Sequence, residues 1–151
     1  MYKKILVALD GSETSNLALK EAIQLAKENN SKIRGVYVVD ANHVTPELEF
    51  VTFKEMISSM RDEARGVLAA AQKKMNAAGV SGDTKICETD QSAGRIAEAI
   101  AKEAKNWPAN LIIVGTHGRR GFSRFLLGSV AELLVRVATK PVMLIRPKDK
   151  K

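Results

Sequence analysis

The chain has 151 residues, 45% of them hydrophobic and 27% charged, with a formal net charge of +7. That length and mix suit one globular domain with a core that needs no covalent staples. The single cysteine, Cys87, excludes an internal disulfide, and no apolar run approaches the roughly 20 residues of a membrane-spanning helix.

The first element in chain order is "KKILVALD" (3–10), an apolar run with charge at both ends, which predicts a buried strand. Its five apolar residues after Lys4 are too few for the core of a secretory signal, so a cytoplasmic setting is expected. Leu19, Ala22, Ile23 and Ala26 then recur at helical spacing, and Asn29-Asn30 end that pattern. "KIRGVYVVD" (32–40) is β-branched and predicts a second strand. After an irregular connection that contains His43, a long helix is predicted from about Phe53 to Ala78. Met56, Met60, Ala64, Val67, Leu68, Ala71 and Met75 mark its apolar face, and Gly79 stands at the C-cap. The methionines fit a gap-filling role in the core.

"DTKICE" (83–88) predicts a short third strand, with Cys87 as a small buried hydrophobe. "SAGRIAEAIAKEAKN" (92–106) predicts a helix with Ser92 at its N-cap. "NLIIVG" (110–115) is uniformly apolar, as in a strand covered on both faces. The last helix carries Val130, Leu133, Leu134, Val137 and Ala138, and Ser129-x-x-Glu132 has the form of a capping box. "PVMLIRP" (141–147) is the final strand. Strands and helices alternate throughout. The expected fold class is therefore α/β: a single-domain, open, parallel five-stranded sheet with helices on both faces and right-handed crossovers. Residues 1–147 form the domain, and 148–151 are a basic tail.

Two loops leave the carboxyl ends of predicted strands, where open parallel sheets bind ligands. One is "LDGSE" (9–13). The other is "GTHGRRGFSRFLLGS" (115–129), which holds four glycines and three arginines. Gly115 and Gly118 would let backbone approach a ligand, and Gly128-Ser129 open a helix whose free N–H groups and dipole favour an anion. A phosphate chain fits between them, with the arginines adding positive field. The same loop lacks G-x-S-x-G, the chain has no G-x-x-x-x-G-K-[ST], and the first strand–helix turn lacks the dinucleotide fingerprint. Two histidines, His43 and His117, and one cysteine without ligand spacing predict no structural zinc site. No catalytic residue is assigned, and His117 is read as a loop residue.

The spacing Gly115-x2-Gly118-x9-Gly128-Ser129 resembles the nucleotide-binding pattern of the universal stress protein family. "ILVALDGSETSNLALKEA" and "GVYVVD" are similar to its opening elements, and residues 110–147 to its closing region. The resemblance implies a Rossmann-like, adenine nucleotide α-hydrolase-like sheet of strand order 3-2-1-4-5. It implies ATP, or AMP or ADP, with Mg²⁺ as ligand, and places the chain in the ATP-binding branch as a stress-response or signalling module with at most slow hydrolysis. Asp10 would take the ribose hydroxyls, and the Val38 backbone the adenine edge, with Ala8 and Leu9 alongside. Gly115, Thr116, His117, Gly118, Arg119, Gly128, Ser129 and Val130 would surround the phosphates. Two positions depart from the family's habit. Asn110 stands where Asp is frequent, and "TDQSAGR" (89–95) lacks the frequent Gly-x-Pro.

The implied order puts the last strand at a sheet edge. Residues 142–145 carry no charge, so a homodimer through strand 141–146 is expected. Two other functions stay open at this point. One is an enzyme that hydrolyses or transfers from ATP. The other is a nucleic-acid binder that uses Arg119, Arg120, Arg124 and the tail, although no RNP-type aromatic set or helix-turn-helix signal supports it. A membrane partner is not expected.

Overall fold

The computed structural model describes residues 1–41, 50–89, 95–117 and 127–147, with backbone alone for 50–52. Its elements run β1 (Lys4–Ala8), α1 (Glu13–Asn29), β2 (Lys32–Val39), α2 (Phe50–Ala77), β3 (Gly82–Glu88), α3 (Ile96–Asn106), β4 (Leu111–Gly115), α4 (Ser129–Val137) and β5 (Val142–Ile145). The strands form one sheet in the order β3-β2-β1-β4-β5. Every pairing is parallel. This is the fold class and strand order expected. Among the described residues no helix is long and apolar enough to cross a membrane.

Alternation along the strands sorts the core into two layers. Ile5, Val7, Leu9, Ile33, Val39 and Ile113 face α1 and α2, with Leu19, Leu68 and Met75. Leu6, Val36, Ile112 and Val114 face α3 and α4, with Ile100, Trp107 and Leu134. β1 and β4, buried on both faces, are therefore apolar at nearly every position. On α2 the buried face runs through Ile57, Ala64, Leu68, Ala71 and Met75, while Met56 is exposed. Met60 and Val67 pack against this core as expected, and only Met56 falls outside the stripe, with Ile57 in its place.

Local chemistry sets the ends. Ser12 caps α1 by accepting from Ser15 N–H at 3.1 Å. Gly79, φ +71°, turns the chain out of α2 as the C-cap pattern predicts. Two starts differ from expectation. α3 begins at Ile96 with Arg95 in the cap position and no side-chain cap bond. Ser92, the expected cap, lies outside the described residues. α4 is capped by the backbone of Gly128, so Ser129 is already helical and the capping box is not formed. Glu132 instead pairs with Arg136 one turn on, at 3.3 Å.

A polar cluster fastens α3 to β2 and β3. Arg34 meets Asp83, its register partner, through Nε–Oδ1 at 2.8 Å and Nη2–Oδ2 at 3.0 Å. It also reaches buried Glu103 at 3.0 Å, which takes a second bond from Lys85 at 2.9 Å. The guanidinium lies 4.7 Å from the centroid of the Trp107 ring. Among the described residues no buried side-chain nitrogen or oxygen lacks a partner.

Two outcomes follow from this packing. β4 ends against α1 so closely that a Cβ on Gly115 would lie 2.6 Å from Thr14 Cγ2 and 3.2 Å from the Thr14 carbonyl carbon. Gly115→Ala is expected to lose about 1–3 kcal/mol in urea unfolding, the usual cost of overpacking. A variant as stable as the parent would mean that α1 can yield. The second outcome concerns acid. The hydrogen bond from Arg34 holds the Asp83 carboxyl below its usual range. Its contribution is present above the unfolded value near 4 and is lost as pH falls through the lower folded value. Asp83→Asn should therefore flatten stability against pH below about pH 4, read from urea midpoints at successive pH values. An unchanged slope would remove Asp83 from the acid limb.

Candidate functional site

Parallel strands put all five carboxyl ends at one edge of the sheet. The order reverses between β1 and β4, because β1 is followed in space by β2 on one side and β4 on the other. That switch point is where the two flagged loops leave the sheet.

At the end of β1, Leu9 N–H bonds Val36 O at 2.8 Å, which keeps the backbone in line with β2. The Leu9 side chain belongs to the α1/α2 layer. Its N–H is used, so only its carbonyl could meet a ligand. Ala8 lies on the opposite face, with Val38, in the α3/α4 layer. Asp10 is half-buried, and its Oδ1 accepts from Ser12 N–H at 2.9 Å. Gly11, φ +83°, makes the turn that this bond needs. The carboxylate is thereby fixed at the mouth of the β1–α1 turn.

At the end of β4, Thr116 is buried, and its backbone is used at both ends. Its N–H donates to Ile145 O at 2.9 Å, and its carbonyl accepts from Gly128 N–H at 2.7 Å. Thr116 Oγ1 and His117 Nδ1 are 3.0 Å apart. The second bond brings the start of α4 beside the end of β4. A Cβ on Gly128 would lie 2.8 Å from Thr116 O. Gly115 and Gly128 thus have packing reasons to be glycine, so a bulky residue at Gly128 would disturb the scaffold as well as any ligand. Gly118 and Arg119 lie outside the described residues, as do His43, Arg120, Arg124 and the tail.

At the start of α4 the amides of Ser129, Val130 and Ala131 have no acceptor within the helix, since the first intrahelical bond runs from Glu132 N–H to Gly128 O at 2.9 Å. Ser129 is exposed and Val130 half-buried. Ser129 and Val130 also line a cleft of about 360 Å³. The start of α3 supplies Arg95, Ile96 and Ala97 to its wall. α4 supplies Ser129, Val130, Glu132, Leu133 and Arg136, and Asp40, just past β2, also lines it.

Of the residues flagged from the sequence, Ser129 and Val130 line this cleft. Ala8, Leu9, Asp10, Val38, Gly115, Thr116 and His117 stand at the strand ends outside its lining. Sequence reasoning missed Asp40, Arg95, Glu132 and Arg136. Asp40 had a signal, because alternation along β2 continues from Val38 to position 40 on one face. The others had none, since only packing sets α3 beside α4. Elsewhere, burial pushes the half-buried Cys87 thiol up to about 11, so it is no nucleophile at neutral pH.

The chain matches the description of the Universal stress protein family over residues 1–146. A universal stress protein of Methanocaldococcus jannaschii is 33% identical over 150 residues, which span 99% of this chain and 85% of that protein. A solved structure of a universal stress protein family member from Burkholderia pseudomallei is 36% identical, covers 97% of each chain and superposes with a TM-score of 0.80. More distant solved proteins share the fold. A universal stress protein in complex with cAMP is 24% identical, with TM-score 0.71 and 97% and 98% of the two chains covered. One from Archaeoglobus fulgidus in complex with dAMP is 23% identical, with TM-score 0.70 and coverage of 96% and 98%. One from Arabidopsis thaliana with AMP bound is 22% identical, with TM-score 0.68 and coverage of 97% and 92%. The match runs the length of the domain, through the sheet, both flagged loops and the start of α4, and on it this chain belongs to the universal stress protein family.

Proposed function

We propose that this protein binds an adenine nucleotide, ATP foremost, at the carboxyl edge of its sheet, and serves as a stress-response or signalling module in the cytoplasm. The observation that supports this is that a fixed carboxylate, Asp10, follows β1 and the amino end of α4 follows β4, on the two neighbouring strands that flank the switch point. Phosphates suit the amides of Ser129 and Val130, with Gly115, Thr116, His117, Gly118, Arg119 and Gly128 around them. Ribose hydroxyls suit Asp10, and the base suits the face of β2 that carries Val38, with Ala8 and the Leu9 carbonyl beside it. Mg²⁺ would ride on the phosphate oxygens. AMP, cAMP and dAMP in the distant relatives favour the same class of ligand. Turnover is expected to be slow. Asp10 is engaged with Ser12 N–H and His117 with Thr116 Oγ1, and neither is posed as a base for attacking water.

We also propose a homodimer through strand 141–146. β5 is an edge strand. Val142 and Leu144 pack toward one layer, and Met143 and Ile145 toward the other. All four stay half-buried. Val135 of α4, 52% exposed, adds apolar surface on the side of that helix turned away from the cleft. An uncharged edge with an apolar flank suits isologous pairing with a second copy.

In protein shown to be ligand-free, ATP with Mg²⁺ should raise the thermal midpoint, by the equivalent of about 2.7 kcal/mol at 100 times Kd. Asp10→Asn keeps an acceptor for Ser12 N–H yet removes the charge. It and Gly118→Val should each weaken ATP about tenfold or more without loss of far-UV circular dichroism. No response to millimolar ATP in the parent protein would end the nucleotide reading.

Sedimentation at micromolar concentration should show a dimer, and Met143→Lys should shift it to monomer. A monomer at every concentration would end the edge-pairing proposal.

A further inference from the structure

Arg95 stands in a place that helix chemistry does not explain. It is the N-cap of α3, in extended backbone with φ −131° and ψ 158°, and it makes no side-chain cap bond. Caps are ordinarily Ser, Thr, Asp or Asn, whose oxygen accepts from a free amide of the first turn. A guanidinium has only donors, so it cannot serve those amides, and its charge lies at the positive end of the helix dipole. Its contact with Glu98 is 3.7 Å, longer than a hydrogen bond, and the Arg95 side chain stays 70% exposed. An ion pair of that kind adds little to the fold.

Arg95 does share a cleft with Ser129 and Val130, whose amides are the phosphate donors of the site proposed above. In a parallel sheet the helices start at the carboxyl edge. The heads of α3 and α4 therefore rise side by side there, on the face of the sheet covered by Ile100 and Leu134. Packed helix axes lie about 8–10 Å apart, so a long side chain at the head of one can meet an anion held at the head of the other. The other charges in the lining are placed differently. Arg136 lies about 10 Å further along α4 than Ser129, at a rise of roughly 1.5 Å per residue, and bonds Glu132 at 3.3 Å. Asp40 follows β2, two strands away from β4.

We propose that Arg95 reads the length of the phosphate chain: its guanidinium takes the outer phosphates of a nucleoside triphosphate whose inner phosphate lies on the amides at the start of α4. This rests on the nucleotide reading above. A guanidinium presents paired N–H donors that match phosphate oxygens, and it keeps its charge at any physiological pH. A monophosphate ends short of it. A phosphate lying between the guanidinium and the two helix heads also replaces the repulsion at the start of α3 with attraction.

The test is calorimetric titration of the ligand-free full chain with ATP and with AMP, each with Mg²⁺. The parent should prefer ATP by about tenfold or more, the scale of one charge-assisted hydrogen bond. Arg95→Gln keeps a polar side chain without the charge, and at an exposed position it should fold as the parent does. It should weaken ATP by about tenfold and leave AMP within about twofold. Arg95→Lys, which keeps the charge without the paired donors, should retain part of the preference. A structural role would change both nucleotides together or neither, so the ratio decides. A parental ratio in Arg95→Gln overturns the proposal while leaving the nucleotide reading intact, and so does a parent that binds AMP as tightly as ATP. Binding of neither nucleotide by the parent removes both.

Discussion

The backbone of Thr116 is the joint on which the rest depends. One residue past β4, its N–H holds the carbonyl of Ile145 at the end of β5, and its carbonyl holds the amide of Gly128 at the start of α4. Buried peptide groups need partners, so neither bond can be given up without loss. Together they tie the edge strand and the amino end of α4 to a single residue at the end of β4. The sheet's twist and the position of the helix dipole are thereby linked, and a ligand that moves one end of this joint works against the other.

The glycines show how one residue type can answer two demands. In sequence, Gly115, Gly118 and Gly128 draw attention as a phosphate-binding spacing. In the structure, Gly115 makes room for Thr14 and Gly128 makes room for the carbonyl of Thr116. Neither use excludes the other, because the same close approach that packs α1 and α4 against β4 brings their backbone to the sheet edge. Asn110 teaches a similar point. Its Oδ1 accepts from Lys4 N–H at 2.8 Å, and its N–H donates to Lys4 O at 2.8 Å. Only an acceptor is needed there, so an amide serves where relatives of this fold were expected to carry a carboxylate.

What could be read from the sequence follows the range of the physics. Apolar runs and their spacing reflect local burial, so all nine elements, their order and the parallel class were legible. Caps depend on a few atoms within one turn, and there the reading slipped: Ser129 has the chemistry of a cap, but the bond between Gly128 and Thr116 sets the helix start one residue earlier. The Asp10 turn was visible because its partners are adjacent. The cleft was not, because Arg95 and Arg136 come to line it together only when α3 packs on α4. Arg34, Asp83, Glu103 and Trp107 were invisible for the same reason. Their partnership spans up to 73 positions of chain between Arg34 and Trp107, and no local pattern announces it.

The burial of Cys87 has a practical side. A thiol pushed up to about 11 carries almost no thiolate at neutral pH, and it is the chain's only cysteine. Maleimide-type reagents are therefore expected to react slowly with the native protein. A second cysteine at an exposed position such as Val135 is then expected to react faster than Cys87, and a fluorophore or spin label placed there would report from beside β5.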